Sequence, residues 1–141
     1  MIRIGPHSLA PRLLLSFSLL SACLTPQRAN AAPFTPEAIC RTAIASVTGR
    51  DPKLVQITRI DGDILFLSYV RPVDNFVWDY RCRIEGNRVI WASEPGRWRE
   101  GPKDDKLSFE DVSGTGRQLR IIDDHGDGSV TNELFDRDKI Q

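Results

Sequence analysis

The spacing of apolar positions changes once along this chain. Between Pro36 and Thr48, Cys40, Ala43, Ile44 and Val47 recur at the i, i+3, i+4, i+7 interval of a single helix face. Thr35, Pro36 and Glu37 supply a hydroxyl N-cap, a proline at the first helical position and an acid in the first turn, and Gly49 supplies a left-handed stop. Beyond Pro52 the period falls to two. Leu54–Ile60, Ile64–Val70, Phe76–Ile84, Arg88–Ser93, Lys106–Val112, Arg117–Asp123 and Ser129–Phe135 read as strands, with turn signals such as Asp61-Gly62-Asp63 and Glu85-Gly86-Asn87 between them. The pattern predicts an α+β domain in which one N-terminal helix packs on an antiparallel β-meander of about six to seven short strands.

The densest stretch is Phe76 to Trp91. Trp78, Tyr80, Cys82 and Ile84 fall on one face of its first strand, and Asp79, Arg81 and Arg83 on the other. Trp78, Tyr80 and Trp91 are therefore expected in the core, packed around Cys82. The arginines, with Arg88 after the turn, are expected to pair with acids on neighbouring strands. Asp136 to Gln141 is a polar tail expected to fray.

Ahead of the helix lies a segment of different character. Arg3 and Arg12 precede the twelve-residue apolar run Leu13–Leu24, the layout of an export leader and too short to span a bilayer. Two processing signals follow in tandem. Leu20-Ser21-Ala22-Cys23 matches a lipobox, in which Cys23 would be lipidated and become the first mature residue; Ala29-Asn30-Ala31 fits ordinary signal peptidase. The division is thus 1–31 as signal peptide, or 1–22 if the lipobox is used, then 32–141 as one domain with a short N-terminal linker.

Export changes the reading of the three cysteines. Cys23 is removed or blocked, which leaves Cys40 on the helix and Cys82 on the strand as a pair in a disulfide-permitting compartment. A helix-to-strand disulfide is expected, since two cysteines without CxxC spacing or a nearby histidine make a poor metal site. Export also changes the charge. The whole chain carries 19 basic and 19 acidic residues, but Arg3, Arg12 and Arg28 lie in the leader and no acid does, so residues 32–141 are net −3. That balance argues against nucleic acid as a partner.

Ser93–Lys106 is the longest stretch without a period, and Arg97-Trp98-Arg99 stands at its centre. Trp98 either folds back over the sheet between solvated arginines or forms with Arg97 and Arg99 a recognition spot, these being residue types common in binding hot spots. The three are the candidate binding residues. Catalytic signals are sparse. Asp123 to Gly128 imitates the start of a calcium loop, but its third position is His125 and its twelfth is Leu134 where a bidentate Glu is required, so a plain hairpin turn is expected. His125 is the single histidine after the leader, and both remaining cysteines are committed, which leaves no triad. No catalytic residue, cofactor or metal is expected. A hydrolase would need a surface cleft holding two or more acids near Trp98.

Two resemblances add to this. The leader with Leu20-Ser21-Ala22-Cys23, the helix carrying Cys40 and the strand Tyr80-Arg81-Cys82 before Gly86 are similar to the YsaB-like small lipoproteins, over about Phe34 to Trp91. That implies an envelope location and this fold. Trp78-Asp79-Tyr80-Arg81-Cys82 also resembles bacterial membrane-bound lysozyme inhibitors, although the Ser-Ala-Ser-Gly-x-Arg-Tyr loop of that family is not reproduced at Ser113 to Gln118. The expectation is a monomeric, non-enzymatic binding module, periplasmic or outer-membrane-associated, which meets the membrane only through Cys23 and binds an unidentified protein or envelope component. A periplasmic enzyme inhibitor or small hydrolase is the alternative.

Overall fold

A computed structural model describes residues 33–141. The leader, Cys23 and nearly all of the linker lie outside the described residues. Helix α1 spans Pro36–Thr48, opened by Thr35, whose hydroxyl accepts from the Ala38 amide at 3.3 Å, and closed by Gly49 at φ 64°. A short 3-10 turn, Pro52–Leu54, leads into the sheet. Its seven strands are β1 (Val55–Asp61), β2 (Ile64–Val70), β3 (Val77–Glu85), β4 (Arg88–Glu94), β5 (Lys106–Asp111), β6 (Gln118–Asp124) and β7 (Val130–Asp136), in spatial order β1 to β7. Every neighbouring pair is antiparallel. The expected meander is the one observed, with seven strands.

One face of the sheet closes on α1. Cys40, Ala43 and Ile44 are fully buried against Leu65, Leu67, Cys82, Val89, Leu119 and Ile121. The small side chains on the helix stripe let its backbone approach the strands. Cys40 and Cys82 form the predicted disulfide, with Cα atoms 5.9 Å apart. The bond ties the first turns of α1 to the middle of β3.

The sheet is not continuous in its pairing. β4 and β5 share one residue pair, Arg88 with Ser108, supported by the Phe109 amide donating to the Asn87 carbonyl at 2.9 Å. Past that pair the strands diverge, and residues 95–105 turn back into the gap, where the Arg99 amide donates to the Trp91 carbonyl at 2.8 Å. α1 packs on strands to both sides of this split. It therefore holds two half-sheets together.

Two sequence expectations are corrected. Trp78 is 41% exposed and not in the core. It faces the same way as Tyr80 but lies level with Tyr69, where α1 has already ended and Arg50 covers the Tyr69 ring at 4.9 Å; Trp78 instead packs edge-on against Phe76. The tail does not fray: Arg137–Ile140 form a second helix, α2, and Ile140 is fully buried. Its carbonyl accepts from the Arg41 guanidinium at 3.3 Å, and α2 packs on α1, the 3-10 turn and β7. One apolar residue in a polar tail was enough to dock it.

Truncating that anchor gives a direct check. Ile140→Ala should cost about 2–5 kcal/mol of stability in urea unfolding, as for other buried large-to-small changes. A loss within about 0.5 kcal/mol, the usual surface value, would return the tail to a free end.

Candidate functional site

Three surface features have the residue chemistry for a site, and the loop 95–105 touches two of them. Residues of this loop alternate across the gap beside β4. Trp98 lies on the outer face of the sheet, its ring stacked under two guanidiniums, with Arg81 at 4.7 Å and Arg83 at 4.4 Å from the centroid. Arg99 points the other way and covers the Trp91 ring at 4.8 Å. Arg97 makes a two-pronged ion pair with Asp104, both bonds 2.6 Å. The structure thus keeps Arg97, Trp98 and Arg99 in one loop but aims them at three different partners.

The arginines stacked on Trp98 are themselves paired. Arg81 bridges to Glu94 and donates to the Gly96 carbonyl, and Arg83 bridges to Glu85 at 3.0 Å and to Glu100 at 2.6 Å. The expected cross-strand pairing with an acid holds at Arg81, whereas Arg83 takes one acid from its own strand and one from the loop. Ala92 and Ile90, directly across the ladder from Arg81 and Arg83, are buried on this outer face although they lie outside the main core cluster. Aromatic stacking on arginine and a buried aliphatic pair make the loop a lid on the outer sheet.

On the inner side the gap opens into a cleft of about 210 Å³ lined by Val47, Trp91, Arg99, Lys103, Asp104, Asp105 and Asp123. It holds three acids, but Trp98 lies on the opposite face of the sheet and only its neighbour Arg99 lines the cleft. The acids differ in state. Asp104 is held low, to about 2, by its bonds to Arg97 and by the Gly101 amide. The Asp123 carboxyl is pushed up by burial and by the neighbouring Asp105. His125, in the β6–β7 turn, contacts Asp105 through Nδ1 at 3.0 Å and the Thr131 hydroxyl through Nε2 at 2.9 Å. Asp105 and the nearby acids raise its pKa, so this pairing stabilises the fold fully below about 6.5 and fades as pH climbs through the raised value.

Reading motifs one segment at a time misses this grouping, because Asp105 and His125 lie 20 residues apart at the open end of the β5–β6 hairpin. The signal was in the register. Lys106 pairs with Asp124, and one further step sets Asp105 opposite His125. The turn itself is the plain hairpin expected, closed by the His125 amide on the Ser129 carbonyl at 3.1 Å.

The third feature is apolar. Leu54, Val70, Val73, Phe76, Val77 and Trp78 are all exposed, Val73 at 85%. They cluster at one end of β2 and β3 but on both faces: Val70 pairs with Val77 on the outer face, while Trp78, level with Tyr69, contacts Phe76 on the other at 5.2 Å between ring centroids. Among the described residues no helix is long and apolar enough to cross a membrane. Comparison with protein-family models, with curated proteins and with solved structures finds no match.

The Arg97–Asp104 pair makes a pH-dependent prediction. A carboxyl lowered from 3.8 to about 2 contributes stability above its unfolded value and loses it as pH falls through about 2. In Arg97→Gln the Asp104 carboxyl, followed by NMR, should titrate close to the ordinary aspartate range. An unchanged midpoint would show that the Gly101 amide alone holds it.

Proposed function

We propose that this chain is an exported, non-enzymatic binding module of the bacterial envelope, periplasmic or outer-membrane-associated, whose recognition surface is the apolar corner at the β2–β3 turn. The observation that carries this reading is the six-residue exposed group from Leu54 to Trp78. Exposed apolar side chains concentrated at one end of a sheet, here on both faces of the β2–β3 hairpin, mark an interaction site more often than apolar residues scattered singly. The patch includes two aromatic rings in contact, and aromatic residues dominate the buried centres of interfaces. Export is supported by the leader pattern, and the Cys40–Cys82 disulfide suits an oxidising compartment. The similarity to YsaB-like small lipoproteins agrees with that location, with Cys23 as the anchor.

The partner is a protein. Residues 32–141 are net −3, and an anionic lipid surface would repel them. Arg97, Trp98 and Arg99, the residues nominated from sequence, serve in this reading as the lid that rigidifies β3 and β4, with β3 presenting Val77 and Trp78.

Site-specific photocrosslinking in intact cells separates the readings. A crosslinker placed at Val73 or Phe76 should give one discrete protein adduct that disappears in a Val70→Asp background of unchanged circular dichroism. Adducts arising from Trp98 instead would return recognition to the loop. Adducts arising from Asp105 alone would transfer function to the acidic cleft and favour the inhibitor or hydrolase alternative.

A further inference from the structure

The acidic cleft carries an inference that does not depend on the envelope reading. Asp105 in the loop before β5, Asp123 on β6 and His125 in the following turn bring one ligand atom each to within 4.8 Å of one another. They come from different parts of the chain and meet only because of the β5–β6 register. One imidazole nitrogen with two carboxylate oxygens is a mixed donor set suited to a borderline divalent ion, where calcium and magnesium prefer oxygen alone.

A separate observation points to a ligand. Asp123 Oδ1 is shut off from solvent and accepts no hydrogen bond. A buried polar atom left unpaired is costly, and native folds normally satisfy it with protein, water or an ion. The rest of the geometry agrees. Nδ1 of His125 and Oδ2 of Asp105 stand 3.0 Å apart, near the roughly 3.3 Å that two ligands on a tetrahedral zinc ion span. On the far side of the ring the Thr131 hydroxyl contacts Nε2 at 2.9 Å, the outer partner that fixes the orientation of a metal-binding imidazole. The open cleft leaves the remaining coordination position to water or to a donor from outside.

We infer that Asp105, Asp123 and His125 form a three-ligand site for a zinc-class divalent cation, with His125 ligating through Nδ1. This proposal departs from the sequence expectation of no metal. Arg99 and Lys103 line the same cleft and oppose a cation, while Asp124 and Asp127 flank the turn and favour one. The site is therefore of moderate affinity and exchanges its ion with solution.

The test is calorimetric titration of the metal-stripped, disulfide-intact mature protein, freed of the leader that carries His7 and Cys23, with zinc chloride near pH 7. Saturable one-to-one binding is expected, weakened by at least about tenfold in Asp123→Asn and in His125→Gln, with calcium and magnesium failing to compete. Thr131→Val, which removes only the outer partner, should weaken binding while leaving the unfolding midpoint of the apo protein unchanged. Cobalt substitution should shift the His125 ring resonances, with Nδ1 as the bonded atom. Absence of binding, equal affinity in His125→Gln, or full competition by calcium would overturn the assignment.

Discussion

The contact on which the rest of this molecule depends is the one between α1 and β3, fixed by the Cys40–Cys82 bond. A meander builds its sheet from one hairpin after another, and each hairpin alone is marginal in water. Here the succession is interrupted between β4 and β5, where a single residue pair joins the halves. The helix supplies what the ladder lacks, since it packs on strands of both halves and buries Cys40, Ala43 and Ile44 between them. With a sequence separation of 42, the crosslink restricts the unfolded chain by roughly 4 kcal/mol in the chain-entropy model. That is close to the entire stability of a small domain.

The split has a second consequence, because it makes room for the loop 95–105 and for the cleft behind it. Trp98 and Arg99 alternate across the gap as residues of a strand would, one to the outer face and one to the inner. The outer side is closed by stacking on Arg81 and Arg83, whose own charges are met by Glu94, Glu85 and Glu100. The inner side stays open and collects Asp104, Asp105 and Asp123. One irregularity in pairing thus produces both a rigid lid and a polar cleft, while the exposure of Trp78 near the β2–β3 turn results from α1 ending short of it.

Most of the architecture was legible because periodicity and turn chemistry agree at nearly every element. The helix bounds, Gly49 as its stop, the seven strands and the disulfide follow from local pattern and cysteine count. The misreadings have a common cause. Trp78 shares the inward phase of Tyr80, yet phase does not say where the helix ends, and a strand can outrun its cover. Ile140 is the one apolar residue among the six of the tail, too little for a periodic signal, but a short tail returning over α1 needs only one anchor. The Asp105–Asp123–His125 group depends on register across a hairpin, which alternation alone does not number. Arg97, Trp98 and Arg99 were conspicuous by type, and only the fold shows that each already has a partner.

The central claim is that α1, held by its crosslink, joins two half-sheets that barely pair with each other. Amide hydrogen exchange on the oxidised and the reduced protein under native conditions tests it most directly. On reduction, α1 and the strands β5 to β7 should lose protection together, while the β2–β3 pairing keeps more of its own. Unchanged protection of α1, or uniform loss across all seven strands, would contradict it.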